Sequence, residues 1–319
     1  MEKKYVIGVD LGGTNTVFGI VDKEGNILAE GSIKTQIYAT AEEFADAGAE
    51  CVRNILDVND LSIEEIQGMG IGAPNGNYYS GCIEHAANLR WKGIVPLAKL
   101  FSDRLGVKAT ITNDANAAAI GEMKYGVAKG MNDFIEITLG TGVGSGIVAN
   151  GQLIYGHDGF AGELGHVIMV RGEEGRPCGC GRKGCLECYC SATGVARTAR
   201  EILSKTDEPS LLREKPTEEL ESLDVSIAAS KGDKIAKEIF QFTGEMLGTA
   251  CADFAAFSSP QAFIFFGGLT RAGDLIMKPI VEAYKRNALV MYRDKPKFLV
   301  SGLMDKNAAV LGAAALGWD

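Results

Sequence analysis

The residues best equipped for chemistry in this 319-residue chain crowd into one stretch, Glu163-Leu164-Gly165-His166 followed by Cys178-Gly179-Cys180-Gly181-Arg182-Lys183-Gly184-Cys185-Leu186-Glu187. Cys178 and Cys180 stand one residue apart, Cys185 follows after four more, and His166, one of only three histidines, lies twelve residues upstream of Cys178. Three thiols and an imidazole at this spacing can surround one zinc ion tetrahedrally. Glycines at 179, 181 and 184 let so short a loop turn tightly enough to gather them. The competing reading is a set of idle thiols, which would need neither this density nor the glycines. Cys188 and Cys190 leave one choice open, because Cys185 and Cys188 also have C-x2-C spacing; both extra thiols are expected as bystanders where a helix begins.

Two further stretches put a carboxylate beside a turn. Asp10-Leu11-Gly12-Gly13-Thr14-Asn15 suits a phosphate site: the glycines open backbone N–H groups to an anion, Thr14 and Asn15 add donors, and Asp10 can hold the hydration shell of a metal ion. A Gly-Gly hairpin without a ligand fits the same residues. Asn113-Asp114 precedes an alanine-rich run, where Asp114 reads either as a helix N-cap or as a general base at the mouth of a cleft. Two polar loops, Ala73-Pro74-Asn75-Gly76-Asn77 and His85-Ala86-Ala87-Asn88-Leu89-Arg90-Trp91, are either plain connections or places where Asn75, Asn88 and an aromatic ring meet a sugar.

The elements that must position these groups follow from periodicity. Tyr5–Val9, Thr16–Val21 and Ile27–Ile33 read as strands separated by glycine turns, and 40–58 as an amphipathic helix. Strands are expected at 67–72, 108–112, 134–139, 262–266 and 297–300, and helices at 95–105, 191–203, 273–288 and 308–316. The span 224–257 reads as helical with a break near Lys231-Gly232-Asp233, and 204–222 as charged and peripheral. From Asp133 the chain repeats its opening: strand, Leu139-Gly140-Thr141-Gly142-Val143-Gly144 turn, strand, Asn150-Gly151 turn. Aligning the two copies needs one single-residue gap, which indicates a duplicated α/β unit with a nucleotide between two lobes.

Bulk composition narrows the class. At 46% hydrophobic and 23% charged residues the chain is that of a globular protein, long enough for two domains. No apolar run approaches the roughly 20 residues that span a bilayer, and Met1-Glu2-Lys3-Lys4 leads straight into a strand, so no membrane partner is expected and the location is cytoplasmic. A net charge of −9 argues against nucleic acid. Eight cysteines, five of them between 178 and 190, favour metal over disulfides.

Taken in order, Asp10-Leu11-Gly12-Gly13-Thr14, Ile137-Thr138-Leu139-Gly140-Thr141-Gly142-Val143-Gly144-Ser145-Gly146, Phe265-Phe266-Gly267-Gly268 and the E-L-G-H plus C-x-C-G-x-x-G-C-x-E signature resemble the ROK (repressor, open reading frame, kinase) sugar kinases. The resemblance covers almost the whole chain. It implies a two-lobed, duplicated actin-like ATPase (ribonuclease H-like) fold with a zinc-binding loop at 166–187. Residues 1–117 and a C-terminal helix at about 303–319 would form one lobe and 118–302 the other. It also implies transfer of the ATP γ-phosphoryl group to a hexose 6-hydroxyl, with Asp114 as the base and Asn113, Glu163, His166 and Glu187 on the other hydroxyls. Asp10, Gly12, Gly13, Thr14, Asn15, Thr141 and Gly142 would face the phosphates and Mg²⁺, with Gly267 and Gly268 beneath the adenosine. His166 would be shared between zinc and sugar, the ion being structural. The Asn88-Leu89-x-Trp91 loop resembles that of the family's glucokinases and favours glucose, with mannose, fructose or N-acetylhexosamine as other acceptors. A homodimer is implied as well. The family's sugar-responsive repressors resemble this chain plus an N-terminal DNA-binding domain, a reading disfavoured by a first strand at Tyr5. Asn75 stands where the family has glycine.

Overall fold

The computed structural model describes residues 2–86, 88–304 and 307–318. Ala87 of the second polar loop, and 305, 306 and 319 of the expected C-terminal segment, lie outside the described residues. In the first half, β1 (Tyr5–Leu11), β2 (Asn15–Asp22) and β3 (Ile27–Lys34) form an antiparallel meander. Asp22 closes its second turn, its Oδ1 accepting from the backbone N–H groups of Glu24 and Asn26 at 3.0 and 2.8 Å. Helix α1 (Ala41–Val58) starts in a capping box between Thr40 and Glu43, and it buries Phe44, Val52, Ile55 and Leu56 against the sheet. After β4 (Ile66–Gly72) come three short strands, β5 (Gly76–Asn77), β6 (Cys82–Glu84) and β7 (Ile94–Val95), which form a small sheet of their own. Helix α2 (Leu97–Leu105) begins two residues later than its spacing predicts, because Val95 is spent on pairing with Ile83. Strand β8 (Ala109–Thr112) completes the sheet order β3-β2-β1-β4-β8 and leads into α3 (Asp114–Tyr125).

The second half repeats this plan. β9 (Phe134–Leu139), β10 (Val143–Ala149) and β11 (Gln152–Leu153) are antiparallel. A long excursion follows, holding α4 (Glu187–Cys190), α5 (Ala192–Leu203), α6 (Ser222–Ser230) and α7 (Lys234–Ser258). The break between α6 and α7 falls at 231–233 as its turn chemistry requires. Then β12 (Ala262–Phe266), α8 (Asp274–Asn287) and β13 (Lys297–Val300) give the order β11-β10-β9-β12-β13, and α9 (Ala308–Leu316) closes the described chain. The parallel and antiparallel pairings match those of the first sheet one for one.

Two alanine-rich helices join the sheets. α9 lies on the first sheet so closely that a Cβ on Gly70 would run into the Ala313 carbonyl oxygen. α3 lies on β10, where Ala115 and Ala119 face Gly144 and Gly146. The helices cross at glycine: a Cβ on Gly121 would stand 2.8 Å from Gly312 Cα. The boundary expected at 117/118 therefore falls inside α3. That helix is buried from Ala115 to Glu122.

Candidate functional site

Asp10, next to last in β1, lies beside Gly72 of β4, and the turn that follows the strand is held from outside. Gly12 N–H donates to Asn15 O at 3.1 Å, Thr35 N–H to Thr14 O at 2.9 Å, and Thr35 Oγ1 to Gly12 O at 2.8 Å. Asn15 has its side-chain oxygen occupied by Lys34 Nζ at 2.8 Å, which leaves its amide N–H₂ as the available donor. Asp114 is the first residue of α3. Asn113, and not Asp114, is the cap, accepting from Ala115 N–H at 2.8 Å; the capping explanation of Asp114 thereby passes to its neighbour. Solvent reaches Asp114 from the cleft, yet the protein mass around it pushes its pKa up, against the lowering effect of the Ala115 N–H. Burial, and after it the charge of Asp114, raises Asp10 to about 6. The two carboxylates thus form one electrostatic unit at the base of the cleft.

A narrow cavity of about 50 Å³ is lined by Asn75, Asn113, Asp114, Gly144, Phe160 and Glu163. Asn75, Phe160 and Glu163 also line a wider chamber of about 950 Å³ that reaches His166, Arg171 and Arg182. Asn75 takes φ 52°, and its side-chain N–H₂ donates to Glu84 O at 2.9 Å, so the loop is braced although Asn replaces glycine. Burial raises the Glu163 pKa, with Asp114 and Glu187 adding to it and His166 opposing.

His166, Cys178, Cys180 and Cys185 each present one ligand atom, all within 4.8 Å of one another. His166 Nδ1 is 3.8 Å from Cys178 Sγ, and Cys180 Sγ is 3.6 Å from Cys185 Sγ. A tetrahedron with zinc–sulfur bonds of about 2.3 Å has edges of about 3.8 Å, so this donor set fits the ion. Nδ1 is the nitrogen turned to the cluster, and Nε2 faces Glu163 Oε2 at 3.9 Å. Glu187 reaches the cluster too, accepting from Cys178 Sγ at 3.0 Å and lying 3.7 Å from His166 Nδ1.

The second turn is tied to this same region. Gly140 N–H donates to Gly142 O at 3.1 Å, Ala192 N–H to Gly140 O at 2.8 Å, and Thr193 Oγ1 to Thr141 O at 2.8 Å. A Cβ on Gly142 would stand 2.8 Å from Glu187 Oε2. Gly267, at φ 113°, packs on Leu139 at the end of β9, and a Cβ on Gly268 would meet open space.

Asn75, Asn113, Asp114 and Glu163 therefore meet in one cavity, and His166 and Glu187 adjoin it through Glu163 and the cluster. Asn88 does not line these cavities: it is exposed beside Gly13, with its carbonyl accepting from Gln36 at 2.8 Å. Trp91 departs from its expected place against a sugar. It is 7% exposed, and its ring centroid is 4.6 Å from that of Phe44 in the core of the first half. Sequence reasoning passed over Ser145, which donates to Gly162 O and accepts from Leu164 N–H at 3.2 Å, so fixing the segment that carries Glu163. It also passed over Asn77, whose side-chain N–H₂ donates to Asp158 O at 2.7 Å across the cleft. Position next to Gly144 and Asn75 was the available signal for each.

Two matched sheets joined by crossing helices, with a glycine turn in each hairpin and a carboxylate pair between them, define a two-lobed ATPase of the actin-like fold; the Cys3His loop narrows the class further. The sequence model of the ROK family matches residues 6–319, and the chain belongs to that family. It is 35% identical to a glucokinase of Halalkalibacterium halodurans over 100% of this chain and 95% of that protein. It is 37% identical to a glucokinase of Streptomyces coelicolor over 97% of this chain and 96% of that one. The solved ROK family glucokinase from Streptomyces griseus, in complex with glucose and AMPPNP, superposes with a TM-score of 0.79 at 35% identity, covering 98% of each chain.

Proposed function

We propose that the chain is a glucokinase, transferring the γ-phosphoryl group of ATP to the 6-hydroxyl of glucose. The observation that carries this reading is the meeting of Asp114 with Asn75, Asn113 and Glu163 in one cavity within reach of Asp10 and the first glycine turn. Glucokinase relatives alignable along nearly the whole chain support glucose over other hexoses.

Ionised Asp114 accepts the 6-hydroxyl proton as that oxygen bonds to the γ-phosphorus and the bond to the ADP oxygen breaks. Asn75, the Asn113 amide, Glu163, His166 Nε2 and Glu187 hold the remaining hydroxyls, fixing the reacting oxygen close to the phosphorus. Gly13, Thr14 and Asn15 on one side, and Thr141 and Gly142 on the other, donate to the phosphate oxygens, with Gly12 shaping the first turn through its own bond to Asn15, while Gly267 and Gly268 leave room for adenosine. Mg²⁺ would be held near Asp10 through its hydration shell and would neutralise phosphate charge. Zinc on His166 Nδ1, Cys178, Cys180 and Cys185 would supply a structural clamp, holding the imidazole with Nε2 toward the sugar. Asn88 acts, in this reading, from the side of the first turn. The lobes divide at the start of α3 and again ahead of α9. A cytoplasmic homodimer completes the proposal; a monomer mass in sedimentation would remove that part.

The test is a coupled ADP-release assay over a panel of hexoses with wild type and Asp114→Asn. Glucose is expected to give the highest kcat/KM, and the variant to lose turnover. Preference for mannose, fructose or N-acetylhexosamine would reassign the acceptor. No stimulation by any hexose, or full activity in the variant, would overturn the kinase reading and leave a sugar-binding regulator.

A further inference from the structure

We propose that Cys178 and Cys188 form an oxidation site, at which hydrogen peroxide joins the two thiols in a disulfide and so removes one ligand from the Cys3His cluster. The inference rests on that cluster holding zinc and is independent of which sugar the enzyme takes.

Cys188 lies on α4, three residues past the ligand Cys185, and is not one of the four convergent donors. Its thiol nevertheless contacts the Cys178 thiol and donates to the carbonyl of Pro177, the residue before Cys178, at 3.6 Å. Each backbone is fixed by a short turn of its own: Cys178 N–H donates to Arg182 O at 2.9 Å and Cys188 N–H to Cys185 O at 3.0 Å. Cys178 and Cys188 both line an open chamber of about 540 Å³ that also carries Gly142, Glu187, Ser191 and Thr193, so a small oxidant reaches either sulfur from solvent. Cys190 and Cys251 are fully buried in the second half and offer no such access.

The chemistry balances with peroxide as the oxidant. The Cys188 sulfur attacks one peroxide oxygen, giving a sulfenic acid and one water. The Cys178 sulfur, a thiolate on the ion, then attacks that sulfur, forming the S–S bond and expelling hydroxide, which takes a proton from solvent to leave as a second water. Two thiols are oxidised by one electron each, and peroxide is reduced by two. Cys178 leaves the ion, and a site with two thiolates and one imidazole holds zinc less firmly. Loss of Cys178 also frees Glu187, which lies 3.0 Å from its sulfur, and the His166 ring beside it. The nearest rival pair is Cys180 and Cys185, with sulfurs 3.6 Å apart, but both are ligands and a bound ion engages both.

The test uses zinc-loaded full-length protein treated with stoichiometric hydrogen peroxide. Released zinc is followed with a chromophoric chelator, and disulfides are mapped by mass spectrometry. Wild type is expected to release zinc together with a Cys178–Cys188 crosslink, and a thiol reductant with added zinc is expected to reverse both. Cys188→Ser is expected to lose the crosslink and to release zinc at least about tenfold more slowly, since the low-barrier route through a neighbouring thiol is gone. Cys190→Ser is expected to behave as wild type. A Cys180–Cys185 crosslink in place of the expected one, wild-type release in Cys188→Ser, or a protein that takes up no zinc would each overturn the proposal. Mapping in the wild type decides the matter even if the variant folds poorly.

Discussion

The two halves share a frame and divide the labour. Their sheets have the same strand order and the same senses of pairing, and each opens on a hairpin whose turn contains Gly and Thr. At the residue before the aligned Leu-Gly, however, the first half has Asp10 and the second has Thr138. Asp10 points its charge at the cleft base, whereas Thr138 Oγ1 turns back to accept from Gly144 N–H at 3.1 Å and closes its own turn. The third strand is eight residues long in the first half and two in the second. The excursion that replaces its length carries the cluster and Glu187. A duplicated frame fixes where ligands can be met, and the departures from symmetry decide what is done there.

The comparison can be broken at several points. The largest effect is expected at the junction between the halves: Asp114→Asn should lower kcat by about 10²–10⁴-fold in the ADP-release assay, the range for removing a general base. Asp10→Asn should cost about 10²–10³-fold, while Thr138→Val at the matching position should cost little beyond a modest rise in the KM for ATP. Equal losses at the two positions would mean that the halves are not divided as described. Gly121→Val should overpack the α3–α9 crossing and lower unfolding free energy by about 1–3 kcal/mol in urea titration. An unchanged midpoint would show that the helices do not meet there.

A pH dependence follows from Asp10. In the unfolded chain its carboxyl ionises near 3.8, and in the fold near about 6, so the fold loses stability as pH rises through that window. Asp10→Asn should therefore melt a few degrees higher than wild type at neutral pH, with the gap closing on acidification below that window. A gap constant with pH would contradict an Asp10 carboxyl raised by its burial. The smallest effect is expected from Trp91→Phe, which should lower stability while leaving the KM for glucose unchanged. A raised KM would restore Trp91 to the sugar site.

Much of this was legible in the sequence. The paired hairpins announce themselves because Val and Ile runs end in Gly-Thr turns twice over, and the cluster because its thiols and glycines are dense. The packing of α3 was not legible: Ala115–Glu122 is buried all round, so no apolar stripe says against which sheet it lies. Trp91 was misread because a ring flanked by Arg90 and Lys92, three residues after Asn88, has the same sequence whether it faces a sugar or Phe44. At the strand–helix junction, adjacent Asn and Asp are equally good caps on paper, and only the backbone shows that Asn113 is the one used. The Asn77–Asp158 bond joins residues 81 apart, beyond any local pattern.

The place of α9 also matters while the chain is being made. Gly8 and Gly70 of the first sheet are backed by Val310 and Ala313, so one face of the earliest strands waits for residues some 240 to 300 positions further along. At roughly 5–20 residues per second, that interval is on the order of 10–60 seconds of synthesis. Throughout it the first sheet can rest on α1, α2 and the start of α3, and the half that emerges first is finished last.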